Sequence, residues 1–174
     1  PSGQAKETLT TDMIIVTDIK GNYIERKEGL KSSSEGAMHW RMYKMRPDVN
    51  GCIHCHAPYS TAFAINNTPI RTDSIAEMII MFGQEVPLLP FGEPGTEHLV
   101  DGYEKHLDKN VVLLANHGML AVGTDLLNAY ANTMTVEMIA KALFISRVMG
   151  KNVSIPEEGK AKLHEWCSKQ AKRS

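Results

Sequence analysis

No apolar run in this 174-residue sequence comes near the roughly 20 residues that cross a bilayer; the longest, such as Met78 to Phe82 and Val111 to Ala115, fall far short. No secretory leader opens the chain, so a soluble protein of the cytoplasm is expected. Excess charge is missing too. The 19 basic residues face 20 acidic ones, a formal net charge of -1, and no Lys/Arg cluster is dense enough to hold nucleic acid or an anionic membrane surface. A small molecule remains as the partner. Cysteine is sparse: Cys52, Cys55 and Cys167 are odd in number, with two only three positions apart, which excludes a disulfide framework and fits free thiols in a reducing compartment. There is no initiator methionine; Pro1-Ser2-Gly3 reads as a turn already in progress, and a preceding segment is expected. With 43% hydrophobic residues, 1–174 suits one domain with a real core.

What the sequence does contain is a set of histidines in a telling pattern. Residues i and i+2 of a β-strand face the same side, so Ile53-His54-Cys55-His56 aims two imidazoles at one point. Val111 to His117 reads as a buried strand ending in a histidine at the Gly118 turn, from which a third imidazole can swing to the same point. Three imidazoles leave a fourth coordination position open, as in catalytic zinc sites, whereas structural zinc is closed by four protein ligands. Glu35 lies a short way upstream as a base beside the ion, although its chemistry alone fits a helix-capping residue equally well. His39, His98, His106 and His164 read as structural or surface groups, and Met38, Met42 and Met45 as core.

Local signals place these residues. Met13 to Asp18 is a β-branched strand ending in a hairpin turn at Ile19-Lys20-Gly21-Asn22. Ser34 caps a helix from Glu35 to Met45 that Pro47 stops, so Glu35 falls in its first turn. Gly51 to His56 is the histidine strand, followed by a short helix over Ser60 to Asn66. Ser74 to Phe82 is helical or mixed, and Glu85 to Pro90, with its two prolines, is an edge strand or extended loop. Pro94 to Glu97 caps a helix reaching about Leu107. The longest helix, Leu126 to Met149, carries an apolar stripe of Leu127, Tyr130, Met134, Ile139, Leu143 and Val148. The tail from Pro156 holds a helical stretch and a solvated basic end, Lys169 to Arg173.

Two rival motifs are weighed. Cys52-Ile53-His54-Cys55-His56 satisfies the C-x-x-C-H pattern of c-type haem attachment, but that chemistry needs an exposed loop and an exported chain, and this segment reads as a strand. A structural zinc site on Cys52 and Cys55 lacks a second cysteine pair, since Cys167 stands alone.

Ser33-Ser34-Glu35, His39, Arg46-Pro47-Asp48, His54-Cys55-His56, Phe91-Gly92 and Asn116-His117-Gly118, in this order and spacing, resemble the class II aldolase and adducin head-domain family over nearly the whole chain. Pro1-Ser2-Gly3 resembles the turn that follows an earlier Gly-Asn phosphate motif in that family, a motif this sequence does not contain. The resemblance implies an α/β fold of three layers, α/β/α, with a central, mainly antiparallel sheet. It implies a homotetramer with active sites at subunit interfaces, and Zn2+, or another divalent metal such as Mn2+ or Co2+, on His54, His56 and His117.

A divalent ion chelating a ketose phosphate stabilises the developing enediolate as a Lewis acid, while Glu35 moves the proton as acid and base. Ser2, Gly3, Ser33 and Ser34 could bind the phosphate through hydroxyls and backbone N–H groups, although a serine run is also an ordinary loop. The resemblance assigns glutamate at the position of Glu35 to the aldolases and aspartate to the epimerases, so Glu35 points to reversible cleavage of a ketose 1-phosphate to dihydroxyacetone phosphate and an aldehyde. A methylthioribulose-phosphate dehydratase shares the glutamate and stays open beside the epimerase. A non-catalytic adducin-like binding domain is the alternative of a different class, and the intact histidines argue against it. The proton-donating tyrosine of the fuculose-phosphate aldolases has no counterpart in Ile70 to Phe82; Tyr59 and Tyr103 are substitutes, and Trp166 stands in the region of their C-terminal tyrosine.

Overall fold

The computed structural model describes residues 1–171. Two short strands, β1 (Val16–Thr17) and β2 (Tyr23–Glu25), are followed by α1 (Gly36–Met45), β3 (Gly51–Cys55), α2 (Pro58–Ile65), β4 (Ile70–Arg71) and α3 (Ala76–Phe82). Then come β5 (Glu85–Val86), β6 (Leu88–Leu89), β7 (Val111–Leu114), β8 (Gly118–Gly123), α4 (Leu126–Val148) and α5 (Glu157–Ala171). The central sheet is mixed and has the order β3-β8-β7-β6. β8 runs antiparallel to both β3 and β7, whereas β6 is parallel to β7.

Every residue of β7 and β8 is buried, as expected for strands covered on both faces. On one face Val111, Leu113, Met119 and Ala121 pack with Phe63 of α2 and with Val136, Ile139 and Leu143 of α4. On the other, Val112, Leu114, Leu120 and Val122 meet Met38 and Met42 of α1 together with Leu99 and Tyr103. Helices therefore cover the sheet from both sides. α4 presses so close to β3 that a Cβ on Gly51 would lie 2.2 Å from the Asp125 carbonyl oxygen, a contact only glycine permits. Asp125 caps α4 by accepting from the Asn128 N–H at 2.7 Å.

Several expectations need correction. The strand expected over Met13 to Asp18 begins only at Val16, because Thr11–Met13 close a 3-10 turn first. The hairpin stands: the Asp18 carboxylate accepts from the backbone N–H groups of Lys20 and Asn22, and Trp40 Nε1 ties it to α1 through Thr17 Oγ1 at 3.0 Å. The helix expected up to Leu107 is two 3-10 turns, Glu97–Val100 and Tyr103–Lys105, separated by Gly102 at φ +89°, where the chain leaves helical geometry. β8 was not expected as a separate strand, yet it joins β3 to β7 in the central sheet.

The stripe expected on α4 is largely the wrong face. Leu127, Tyr130, Met134 and Val148 are 76%, 53%, 51% and 72% exposed, and of the six only Ile139 and Leu143 are buried. The helix is apolar on most sides, and the face that meets the sheet is chosen by small residues, Ala129 and Ala140, which allow close approach, and by Asn132, whose Nδ2 donates to the Val122 carbonyl at 2.9 Å. α5 confirms the helical tail; Lys172 and Arg173 of its expected basic end lie outside the described residues.

Leu120 is 1% exposed at the centre of the sheet, so Leu120→Ala removes a core side chain and leaves a cavity beneath α1. It should lower the free energy of unfolding by about 2–5 kcal/mol in urea titration.

Candidate metal centre

His54 pairs with Leu120 in the β3–β8 ladder, and its side chain points to the face covered by α1. Its Nδ1 lies 2.9 Å from the Met119 carbonyl oxygen. That oxygen can only accept, so Nδ1 carries the proton and Nε2 presents a lone pair. Such a backbone anchor behind an imidazole is the usual way of fixing a ligand's tautomer and direction.

The other two rings converge on that lone pair. His56 follows the last residue of β3, and its Nε2 is 3.2 Å from His54 Nε2. His117 Nε2 approaches the same atom at 3.1 Å, its ring stacked on that of His54 with centroids 4.9 Å apart. The three ligand atoms lie within 4.8 Å of one another. Lone pairs held this close repel unless a proton or a cation sits among them, and three neutral imidazole nitrogens are a donor set suited to a divalent ion of the zinc class.

His117 reaches this position through the β7–β8 turn. Asn116 takes a left-handed conformation, φ 57°, which asparagine tolerates better than other non-glycine residues. His117 N–H then donates to the Leu114 carbonyl at 3.0 Å, closing a three-residue hairpin loop. Gly118 allows the strands to meet here: a Cβ on it would lie 2.7 Å from His56 Cδ2 and 2.6 Å from the Cys55 carbonyl oxygen.

Glu35 stands at the N-cap of α1 rather than inside its first turn, and Ser34 makes no capping hydrogen bond. The Glu35 N–H instead donates to Ser33 Oγ at 3.3 Å. Glu35 Oε2 is buried without a hydrogen-bond partner among the described residues, an uncommon state for a carboxylate oxygen. A cleft of about 270 Å³ brings Glu35 together with His54, His56, Ser2, Gly3, Ser33 and Ser34. Ser2 is held at its rim by its N–H donating to the Lys31 carbonyl at 2.8 Å. Each of the expected site residues thus meets at this cleft or, for His117, at the His54 imidazole that lines it.

Other expectations fall away. Tyr103 is 1% exposed under the sheet, where its hydroxyl donates to the Lys109 carbonyl, so it is not available as a proton donor. Tyr59 packs its ring on Phe144, with centroids 5.8 Å apart, in the α2–α4 cluster. The cleft contains one cation the sequence reading passed over, Lys6, which follows the Pro1-Ser2-Gly3 turn. His39, read as structural or surface, lies close enough to Glu35 for that charge to raise its pKa, while burial has the larger effect and lowers it.

Burial pushes His54 from 6.5 down to about 4, with the Met119 bond opposing, and His117 is also lowered, by burial and then by the neighbouring His56. These imidazoles stay neutral, and able to ligate, below the pH at which free histidine charges. In the metal-free chain the unfolded state takes up protons first as pH falls through 6.5 toward 4, so stability declines across that window and the His54 contribution is exhausted below it. Melting temperatures measured with chelator should fall over this range, and less steeply in His54→Gln. Asn116→Ala strains the left-handed turn and should weaken Co2+ binding about tenfold by spectroscopic titration, with Asn116→Gly restoring it.

The description "Class II Aldolase and Adducin N-terminal domain" belongs to the family model that matches residues 1–144. A 5-methylthioribulose-1-phosphate/5-deoxyribulose-1-phosphate aldolase of Escherichia coli is 38% identical over 128 residues, 72% of this chain and 58% of that protein. A 3-oxo-tetronate 4-phosphate decarboxylase of Haemophilus influenzae is 30% identical over 148 residues, 83% of this chain and 69% of that protein. Among solved structures, an L-fuculose 1-phosphate aldolase superposes with a TM-score of 0.82 at 34% identity, covering 95% of this chain and 76% of the other. The family match over most of the chain and the agreement in fold lead to one conclusion: the chain belongs to the class II aldolase and adducin N-terminal domain family.

Proposed function

We propose that this chain is a metal-dependent aldolase that reversibly cleaves a ketose 1-phosphate to dihydroxyacetone phosphate and an aldehyde. The observation that carries the reading is the convergence of His56 and His117 Nε2 on His54 Nε2 beside a buried Glu35 oxygen with no partner among the described residues. His54, His56 and His117 would hold the ion, Zn2+ or another divalent metal such as Mn2+ or Co2+. When bound, the ion supplies Lewis acidity toward the negative charge that develops on the substrate oxygens.

The remaining roles fall to the chain itself. Glu35 accepts the proton of the hydroxyl beside the breaking carbon–carbon bond; the bond breaks to leave the aldehyde, and the same carboxyl returns a proton to the triose carbon. Ser33 and Ser34, with Ser2 and the Gly3 N–H, hold the phosphate at the mouth of the cleft, a task for hydroxyls and free amides. This orients the reacting carbons toward Glu35.

The aldolase names among the relatives support cleavage over the dehydratase, epimerase and binding-domain readings. The decarboxylase relative favours a second reading, loss of carbon dioxide from a phosphorylated oxo acid, at the same residues. We place the protein in the cytoplasm, as one domain that assembles into a homotetramer with active sites at subunit interfaces. Exposed Tyr130, Met134 and Met138 on α4 support a second copy as the cover for that face. Among the described residues no helix is long and apolar enough to cross a membrane.

A coupled assay for dihydroxyacetone phosphate on a panel of ketose 1-phosphates should show release that chelator abolishes. In Glu35→Ala, kcat should fall by about 100-fold or more. Substrate consumed without triose phosphate would move the reading to another branch, and full turnover in Glu35→Ala would remove Glu35 from the chemistry.

A further inference from the structure

We propose that Glu137, on α4, is a positioning residue for the metal centre: its carboxylate anchors the first turn of α2 and thereby fixes where His56 points. Its consequence for the ion rests on the metal-binding reading above. Its effect on the ring does not.

His54 and His56 are held by different means. His54 lies within the β3–β8 ladder and is pinned from behind by the Met119 carbonyl. His56 lies one residue past the end of β3 and is exposed, and its Nε2 meets the imidazoles of His54 and His117 rather than a backbone anchor among the described residues. Only Ala57 separates it from α2, whose first residue is Pro58. The start of α2 therefore sets the direction of the His56 backbone.

That start is fixed from across the fold. Glu137 Oε1 accepts from the Tyr59 N–H at 2.9 Å, and Oε2 accepts from both the Ser60 N–H and the Ser60 hydroxyl, each at 2.9 Å. Ala57, the N-cap, offers no side chain for these donors, and Ser60 is 0% exposed, beyond the reach of water. A carboxylate at the N-terminus of a helix also meets the favourable end of its dipole. Charge-assisted bonds to two adjacent amides and a hydroxyl leave the turn no freedom to rotate. Without them, β3 could still pair with β8, but the residues after Cys55 would not be held.

Glu137→Gln tests this, because the amide keeps the shape while its NH2 group faces donors. In the metal-free full chain, imidazole nitrogen NMR should show His56 signals shifted or broadened while that of His54 Nδ1, held by the Met119 carbonyl, stays in place. Co2+ affinity, read from its visible absorption, should fall about tenfold, the scale typical of lost support behind metal ligands. Ser60→Ala removes one donor and leaves the two amide bonds, so it should fold and give a smaller change of the same kind. Unchanged His56 signals in both variants would overturn the proposal, even if their melting temperatures fall, because the anchor would then be structural only. Failure of the wild-type chain to bind Co2+ would overturn the metal-centre reading instead, since the His56 signals are read without an ion.

Discussion

The pairing of β3 with β8 is the constraint on which everything else rests. It sets Cys55 opposite Met119 and His54 opposite Leu120, and that register brings the Met119 carbonyl against the His54 ring. A slip of one residue would turn both histidines of His54-Cys55-His56 toward the α2–α4 side. The same ladder continues through β8 into β7, so the turn bearing His117 is tied to the strand bearing His54 by the shortest route the topology offers. Gly118 then lets the His56 end of β3 come within contact distance of the turn.

Around this frame the chain holds groups that are costly unless used. Three imidazole nitrogens face one another, and a carboxylate oxygen is buried without a partner among the described residues. Burial keeps His54 neutral at pH values where a solvated histidine would be charged. Groups crowded or buried in this way oppose folding of the free chain, and a cation among the imidazoles would offset that cost, which is the pattern expected where function sets the local chemistry. The cleft opens beside two short segments that carry serine hydroxyls, Pro1 to Gly3 and Ser33 to Ser34, so the polar mouth and the metal centre share one wall.

Much of this was legible in the sequence because it depends on short spacings. His-x-His on a strand, an apolar run ending at Asn116-His117-Gly118 and a helix stopped before Pro47 are local signals, and each fell close to its place. What was missed depends on contacts between distant segments. β8 follows the His117 turn immediately, and Met119 to Val122 carry no polar alternation to mark a strand, because both of its faces are buried. The α4 stripe was misread because apolar residues surround the helix and only the sheet decides which of them it meets. Ser34 lost the capping role to its neighbour's geometry, and Tyr103, a plausible donor by type, went to the core to bond the Lys109 carbonyl. Glu137 could not have been singled out from its surroundings in a long helix; its meaning comes from the α2 amides it meets across 77 or 78 residues of sequence.

The central claim is that His54, His56 and His117 form one divalent metal centre. Its most direct test is the metal content of the purified full chain after exhaustive dialysis, measured beside His54→Ala and His117→Ala variants shown to be folded by circular dichroism. The wild type should hold one tightly bound zinc-class ion per chain, and both variants should lose it. A wild-type chain that stays metal-free when offered Zn2+, Mn2+ or Co2+, or variants that keep the ion, would contradict the claim.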